Sequence, residues 1–183
     1  ILESASKINT VIFDKTGTLT YGKMKISECI IAAGDKNELL KKACSIERAS
    51  SHPIATAFTD YMEENHILPV DVADFKVIEG FGVYGKIDDE DIYLVSGKYL
   101  EFLGIKNTLA DKETELSSSG NSIVYMVADS RLCAIFGISD VVRDGAKEEI
   151  LTLYKEGVEC IMLTGDNKKT AHSVAEKLGI TLD

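Results

Sequence analysis

Thr10-Val11-Ile12-Phe13-Asp14-Lys15-Thr16-Gly17-Thr18-Leu19-Thr20 joins a short apolar run to a carboxylate, and then to a polar stretch that contains one glycine. A short buried strand that hands an acidic residue to a glycine turn is a signature of an α/β sheet, in which ligands sit beyond the carboxyl ends of the strands. At such a position Asp14 can attack phosphorus and hold a covalent acyl phosphate, splitting one hard transfer into two easier ones. Lys15 can neutralise phosphoryl charge as it develops. The hydroxyls of Thr16, Thr18 and Thr20, with the Gly17 amide, can donate to phosphate oxygens. Taken alone, Asp-Lys-Thr-Gly reads equally well as a strand end with a polar turn.

Outward from this stretch the pattern changes and then returns. Residues 27–33 read as a strand. Asp35 followed by Glu38 forms a capping box, and Leu39, Leu40, Ala43 and Ile46 fall on one helical face. Pro53 suits the first turn of a second helix, whose stripe runs through Ile54, Ala57, Phe58, Tyr61 and Met62. Residues 75–79, 83–87 and 92–95 read as strands, residues 98–103 and 108–117 as short helices. Residues 122–128 and 131–138 form a hairpin across Asp129-Ser130. Tight turns between most of these strands predict an antiparallel sheet with helices packed on it. From Ser139 the strand–helix alternation resumes. A helix over 146–154 turns Ile150, Leu151 and Tyr154 inward, and a buried strand over 158–163 leads into Thr164-Gly165-Asp166-Asn167 and a helix over 168–178. The expected organisation is an α/β domain in two parts, residues 1–24 and 139–183, split by an α+β insert over residues 25–138.

Composition bounds the partners. The 183 residues are 45% hydrophobic and 27% charged, enough for a core and unlike a disordered tail. Lys and Arg total 20 against 30 Asp and Glu, a net charge of −10. That argues against a nucleic-acid binder, which would carry a basic face, and a phosphate ligand must be held by local features. No apolar run reaches the roughly 18 residues of a membrane helix, so no direct membrane insertion by this chain is expected. The start lacks the basic and long apolar regions of a signal peptide. Four cysteines, at 29, 44, 133 and 160, show no metal or redox spacing and read as reduced buried thiols of a cytosolic compartment. The opening without Met and the stop just after a helix-like segment read as a piece of something larger.

Residues 14–20 match the DKTGTLT phosphorylation motif of P-type ATPases at every position, residues 164–167 match their TGDN motif, and Asp140-Val141-Val142-Arg143 resembles their D-x-x-R segment. Three motifs in order carry the resemblance over essentially the whole chain. It implies a haloacid-dehalogenase-like, Rossmann-like phosphorylation domain split by a nucleotide-binding insert. Asp14 is then the phosphorylated residue. Lys15, Thr16, Thr164, Gly165 and Asp166 surround the phosphoryl group, and Asp14 and Thr16 face Mg²⁺. Thr16 stands where related phosphatases usually carry an Asp that acts as general acid and base. A phosphoenzyme that persists long enough to drive a conformational cycle is the implication.

The insert is similar to that of one subfamily. Gly80-Phe81-Gly82-Val83-Tyr84-Gly85 lies between two strands and is not followed by a helix, which disfavours a dinucleotide fingerprint. By itself it is a turn or bulge, and His52 before Pro53 is by itself a cap or a packed surface ring. Together with Glu47 they resemble the nucleotide pocket of heavy-metal-transporting (P1B) ATPases. There the resemblance places Glu47 at the adenine edge, His52 against the adenine, and Gly80 and Gly82 where the nucleotide approaches closely. Two residues depart from the subfamily pattern: Ser51 replaces a frequent Glu, and Ser96-Gly97 stands where Gly-Asn is common. The family's GDGxND motif does not occur in the 183 residues, so the expectation is ATP binding with little phosphoenzyme. The resemblance further implies ATP and Mg²⁺ as cofactors and ADP as product. It implies actuator and transmembrane domains as partners, and a place on the cytoplasmic side of a membrane. A stand-alone phosphohydrolase with an inserted cap and a non-catalytic nucleotide-binding module are the alternatives.

Overall fold

The computed structural model describes residues 8–165 and 168–180, the side chain of Lys169 excepted. These residues fall into two units. The first holds the described residues up to Lys23, Ser118–Gly120, and those from Asp140 onward. The second holds Met24–Ser117 and Asn121–Ser139.

In the first unit, β1 (Thr10–Asp14) pairs in parallel with β8 (Glu159–Leu163), in a register that sets Asp14 opposite Leu163. Helices α5 (Ala146–Lys155) and α6 (Lys168–Leu178) belong to the same unit. Leu19, Ile150, Cys160, Ala175 and Leu178 form its core. Two expectations fail here. Strand β8 is not a buried strand: Cys160 is covered, but Ile161 and Leu163 are 41% and 64% exposed, and Ile12, the register partner of Ile161, is 63% exposed. Side chains alternate along a strand, and among the described residues only one face of this pair is covered. Leu151 is 43% exposed rather than inward. It lies about 100° around α5 from the buried Ile150, off the stripe that Ile150 shares with Leu153 and Tyr154.

The second unit is built on a six-stranded sheet in the order β2-β7-β6-β5-β4-β3, where β2 is Thr20–Ile31, β3 Ala73–Ile78, β4 Gly82–Ile87, β5 Glu90–Val95, β6 Ser122–Ala128 and β7 Arg131–Val142. Each neighbouring pair from β3 to β7 is antiparallel. On one face sit α1 (Lys36–Glu47) and α2 (Pro53–Glu64), sealing a core in which Phe58 meets Phe136 edge to face at 5.1 Å. On the other face, Leu100 of α3 (Gly97–Phe102) and Leu116 of α4 (Ala110–Ser118) pack on Tyr125, Val127 and Ile135. The Asp35 side chain accepts from the Asn37 and Glu38 amides at 2.9 and 3.1 Å, the cap that sets the start of α1. Strand β2 begins at Thr20, well before the expected 27, because only Met24 and Ile26 mark its buried face between exposed lysines. All four cysteines are free thiols. No helix among the described residues is long and apolar enough to cross a membrane.

Candidate functional site

Strand β1 ends on Asp14, which is exposed, and the chain then winds through Lys15–Leu19. The winding is not a regular helix. Thr16 is extended (φ −77°, ψ 120°) and Gly17 turns left-handed (φ 79°, ψ −10°), a conformation that a glycine adopts without steric cost. Lys15 and Leu19 are buried while Thr16, Gly17 and Thr18 face outward. Parallel pairing of β1 with β8 brings two predicted segments to the same carboxyl end of the sheet. Asp14 lies beside Leu163, and the half-buried Thr164 and exposed Gly165 follow at once. Asp166 lies outside the described residues.

The D-x-x-R segment, to which sequence reasoning assigned no role, holds this loop in shape. The buried Thr20 hydroxyl shares its proton between Asp140 Oδ2 at 2.6 Å and the Lys15 carbonyl at 3.0 Å, and it accepts from the Gly17 amide at 3.3 Å. The Arg143 guanidinium donates to the Gly17 carbonyl at 2.9 Å and to the Thr20 carbonyl at 3.1 Å, and its backbone amide donates to the Leu19 carbonyl at 2.9 Å. It also lies over the Tyr21 ring, 5.0 Å from the centroid. One carboxylate and one fork of donors therefore fix both ends of the turn behind Asp14. The only signal in the sequence was the spacing of Asp140 and Arg143. The carboxylate of Asp14 and the oxygens of Thr16 are donors of the kind Mg²⁺ takes. Among the described residues no group of three or more His, Cys, Asp or Glu could hold a metal. Asp14 and Thr16 alone carry oxygen donors suited to only part of the roughly six-oxygen shell of Mg²⁺.

In the second unit, Glu47, His52, Gly80 and Gly82 line one cavity of about 260 Å³. Each comes from a different structural event. Glu47 is the last residue of α1, His52 caps α2, Gly80 lies in the turn between β3 and β4, and Gly82 opens β4. Ile54, Ile78, Val83 and Leu94 supply apolar wall. A pocket that buries a whole drug-sized ligand runs to roughly 300–1,000 Å³, and this one lies just below that range. Gly82 is required by space as well as by backbone: φ is +145°, and a Cβ there would stand 2.1 Å from the Leu94 carbonyl oxygen. His52 Nδ1 accepts from the Ile54 amide at 3.2 Å, so the bland expectation for this residue, a helix cap, holds alongside its position at the cavity. With Nδ1 as acceptor, the neutral ring carries its proton on Nε2.

The polar groups of the cavity are sparse. Glu47 is only 4% exposed, and burial pushes its carboxyl up to about 7. Ser96, noted in the sequence only as a departure, also lines the cavity. It occupies the cap position of α3, yet its hydroxyl makes no cap bond and is buried without a partner among the described residues. Its amide donates to the Phe81 carbonyl at 2.7 Å, which ties the end of β5 to the glycine turn. Ser50, which accepts from the His52 amide at 3.2 Å, is a further wall residue that sequence reasoning missed.

Comparison with known proteins places this geometry. A family model described as haloacid dehalogenase-like hydrolase matches residues 8–183. The copper-exporting P-type ATPase B of Archaeoglobus fulgidus is 36% identical over 179 residues, covering 97% of this chain and 26% of that protein. A crystal structure of a zinc-transporting PIB-type ATPase in an E2.Pi state superposes with a TM-score of 0.89 at 28% identity, covering 98% of this chain and 29% of the other. The catalytic domain of the CPx-ATPase CopB-B, studied for its conformational changes on nucleotide binding, superposes with a TM-score of 0.70 at 33% identity, covering 98% of this chain and 61% of that one. The chain spans about a quarter of the length of the curated relatives it matches. It belongs to the haloacid dehalogenase-like hydrolases, and along its whole length it is similar to the catalytic region of heavy-metal P-type ATPases.

Proposed function

We propose that this chain is the nucleotide-binding and phosphorylation region of a heavy-metal P-type ATPase, working on the cytoplasmic side of a membrane with actuator and transmembrane domains as partners. The observation that carries this reading is the convergence of Glu47, His52, Gly80 and Gly82, distant in sequence, on one small apolar cavity. Residues 25–138 serve as the nucleotide-binding domain and residues 1–24 with 139–183 as the phosphorylation domain. The cavity takes the adenine, with Glu47 at its polar edge, His52 against the ring, and the glycine turn allowing close approach. In the transfer an Asp14 oxygen bonds to the γ-phosphorus while the bond to the β–γ bridging oxygen breaks, and ADP leaves with that electron pair. Lys15, Thr16 and the turn of Thr164, Gly165 and Asp166 hold the phosphoryl oxygens. Asp14 and Thr16 would hold Mg²⁺, which would supply positive charge against the phosphoryl oxygens. Asp140 and Arg143 keep the Asp14 loop in register through Thr20 and Gly17. Thr16, lacking an acid or base, leaves the acyl phosphate to persist.

Titrating the chain with ATP while following amide shifts tests the pocket. Shifts around residues 47–53 and 80–82 are expected; shifts confined to the neighbourhood of Asp14 would sink the assignment. In a complete pump, Asp14→Asn is expected to abolish acid-stable label from γ-labelled ATP, because an amide is not a competent nucleophile. Retained label would place the nucleophile elsewhere.

A further inference from the structure

Glu47 lies in surroundings that oppose a negative charge. It is the C-terminal residue of α1, where the helix dipole already presents partial negative charge. The carboxyl is buried, faces a cavity walled by Ile54, Ile78, Val83 and Leu94, and has no hydrogen-bond or ion-pair partner among the described residues. Among the described residues His52, which caps α2, is the one other titratable group lining the cavity, and its Nδ1 is committed to the Ile54 amide. On α1 itself Cys44 feels the Glu47 charge, but burial pushes its thiol up to about 12, so it stays neutral. Arg48 follows in the chain but is exposed, and the strands contribute only apolar side chains, the Ser96 hydroxyl and backbone.

A carboxylate only accepts hydrogen bonds, whereas a neutral carboxylic acid offers one donor and one acceptor side by side. The Watson–Crick edge of adenine likewise offers one donor, the exocyclic amine, and one acceptor, ring N1. Guanine offers two adjacent donors there, N1–H and the 2-amine, which suit a carboxylate. Resting on the reading of this cavity as a nucleotide site, we infer that Glu47 meets adenine as a neutral carboxylic acid, its hydroxyl donating to N1 and its carbonyl oxygen accepting from the exocyclic amine. The contact is then bidentate without any cation, and selection for adenine over guanine is strongest when the acid is protonated. Burial that holds the group near 7 keeps it poised for this use. Binding takes up a proton as pH rises through that value, so affinity for ATP falls, by up to about tenfold between pH 6 and 8 on linkage grounds.

The test is calorimetric titration of the chain with ATP and GTP from pH 6 to 8.5, for the native sequence, Glu47→Gln and Glu47→Ala. An amide spectrum of each variant reports that it folds. Gln presents the donor and acceptor of the neutral acid at every pH. Glu47→Gln is therefore expected to bind ATP more tightly than the native chain at pH 8, by several-fold, with the gap closing toward pH 6. Since the ATP phosphates titrate equally against both proteins, the ratio of the two affinities isolates Glu47. The native preference for ATP over GTP should narrow as pH rises. Glu47→Gln binding as weakly as Glu47→Ala at pH 8, or a ratio flat with pH, overturns the inference while leaving the nucleotide site in place. Absence of adenine nucleotide binding by the native chain at any pH overturns the site itself.

Discussion

The Asp14 loop and the Glu47 cavity solve opposite problems with the same side-chain chemistry. The loop is contiguous in sequence, polar and outward-facing. Its acid stands at the open end of a strand, and the buried groups behind it, Thr20 and Lys15, are engaged in contacts. The cavity is assembled from a helix end, a helix start, a turn and a strand end, and its acid is buried without a partner among the described residues. On the proposed reading, a carboxylate that must reach phosphorus is served by exposure and a rigid backbone. A group that must recognise an uncharged base is served by burial, at a cost in stability. The two glycines make the same contrast. A Cβ on Gly17 meets nothing within 4 Å, so only its φ of +79° demands glycine, whereas a Cβ on Gly82 collides with the β5 backbone.

That contrast predicts the largest effect. Gly82→Ala forces β4 and β5 apart, since neither partner in the clash is a movable side chain, and is expected to destabilise the insert by about 3 kcal/mol or more. Gly17→Ala costs only the left-handed backbone, roughly 1–2 kcal/mol, local to the loop. Urea unfolding followed by residue-resolved amide signals separates the two. Equal losses would erase the distinction between a steric and a conformational glycine.

Glu47→Gln comes next. An acid whose folded value is raised from 4.5 to about 7 loses stability as pH climbs between those values, because only the unfolded chain ionises there. Below 4.5 both states are neutral and the penalty vanishes. The variant is thus expected to be more stable than the native chain by on the order of 3 kcal/mol above pH 7, and equal to it near pH 4. A native chain as stable as the variant at pH 8 would show that the carboxylate is well solvated. Thr20→Val probes the loop in the same terms. Among the described residues it leaves Asp140, whose Oδ1 is already without a partner, with neither oxygen bonded. About 1–3 kcal/mol should be lost, the loss falling on the Asp14 loop and sparing the cavity signals. The smallest effect belongs to Ser96→Ala. Removing an unbonded buried hydroxyl should leave stability unchanged or slightly higher. If that hydroxyl is held for the nucleotide, ATP affinity falls roughly threefold to tenfold, the worth of one hydrogen bond. A stability loss without an affinity change would make Ser96 a structural residue only.

Much of the loop was legible because its information is local. The apolar run of β1, the acid at its end and the glycine are neighbours in the chain. The fastening by Asp140 was not legible, since Thr20 and Asp140 meet across 120 positions and only a spacing pattern hinted at it. In the insert, periodicity located α1, α2 and the hairpin of β6 and β7, while the start of β2 was missed because two half-buried residues among lysines are a weak alternation. The exposure of Leu151, Ile161 and Leu163 was also missed. Apolar character says that a residue can be buried; which face is covered depends on the elements placed over it.

By itself the sequence determined where carboxylates, glycines and helix caps stand along the chain. It set the alternation that makes a sheet and the motif order that reveals the family, because caps, turns and periodicity arise from residues within a few positions of one another. Tertiary structure alone decided that Glu47 is held near neutrality, that Gly82 admits no side chain, that Ser96 keeps an unspent hydroxyl, and that Asp140 and Arg143 brace the Asp14 loop. Each of these is a matter of desolvation or close contact, and both are set by atoms that lie far away in sequence and near in space.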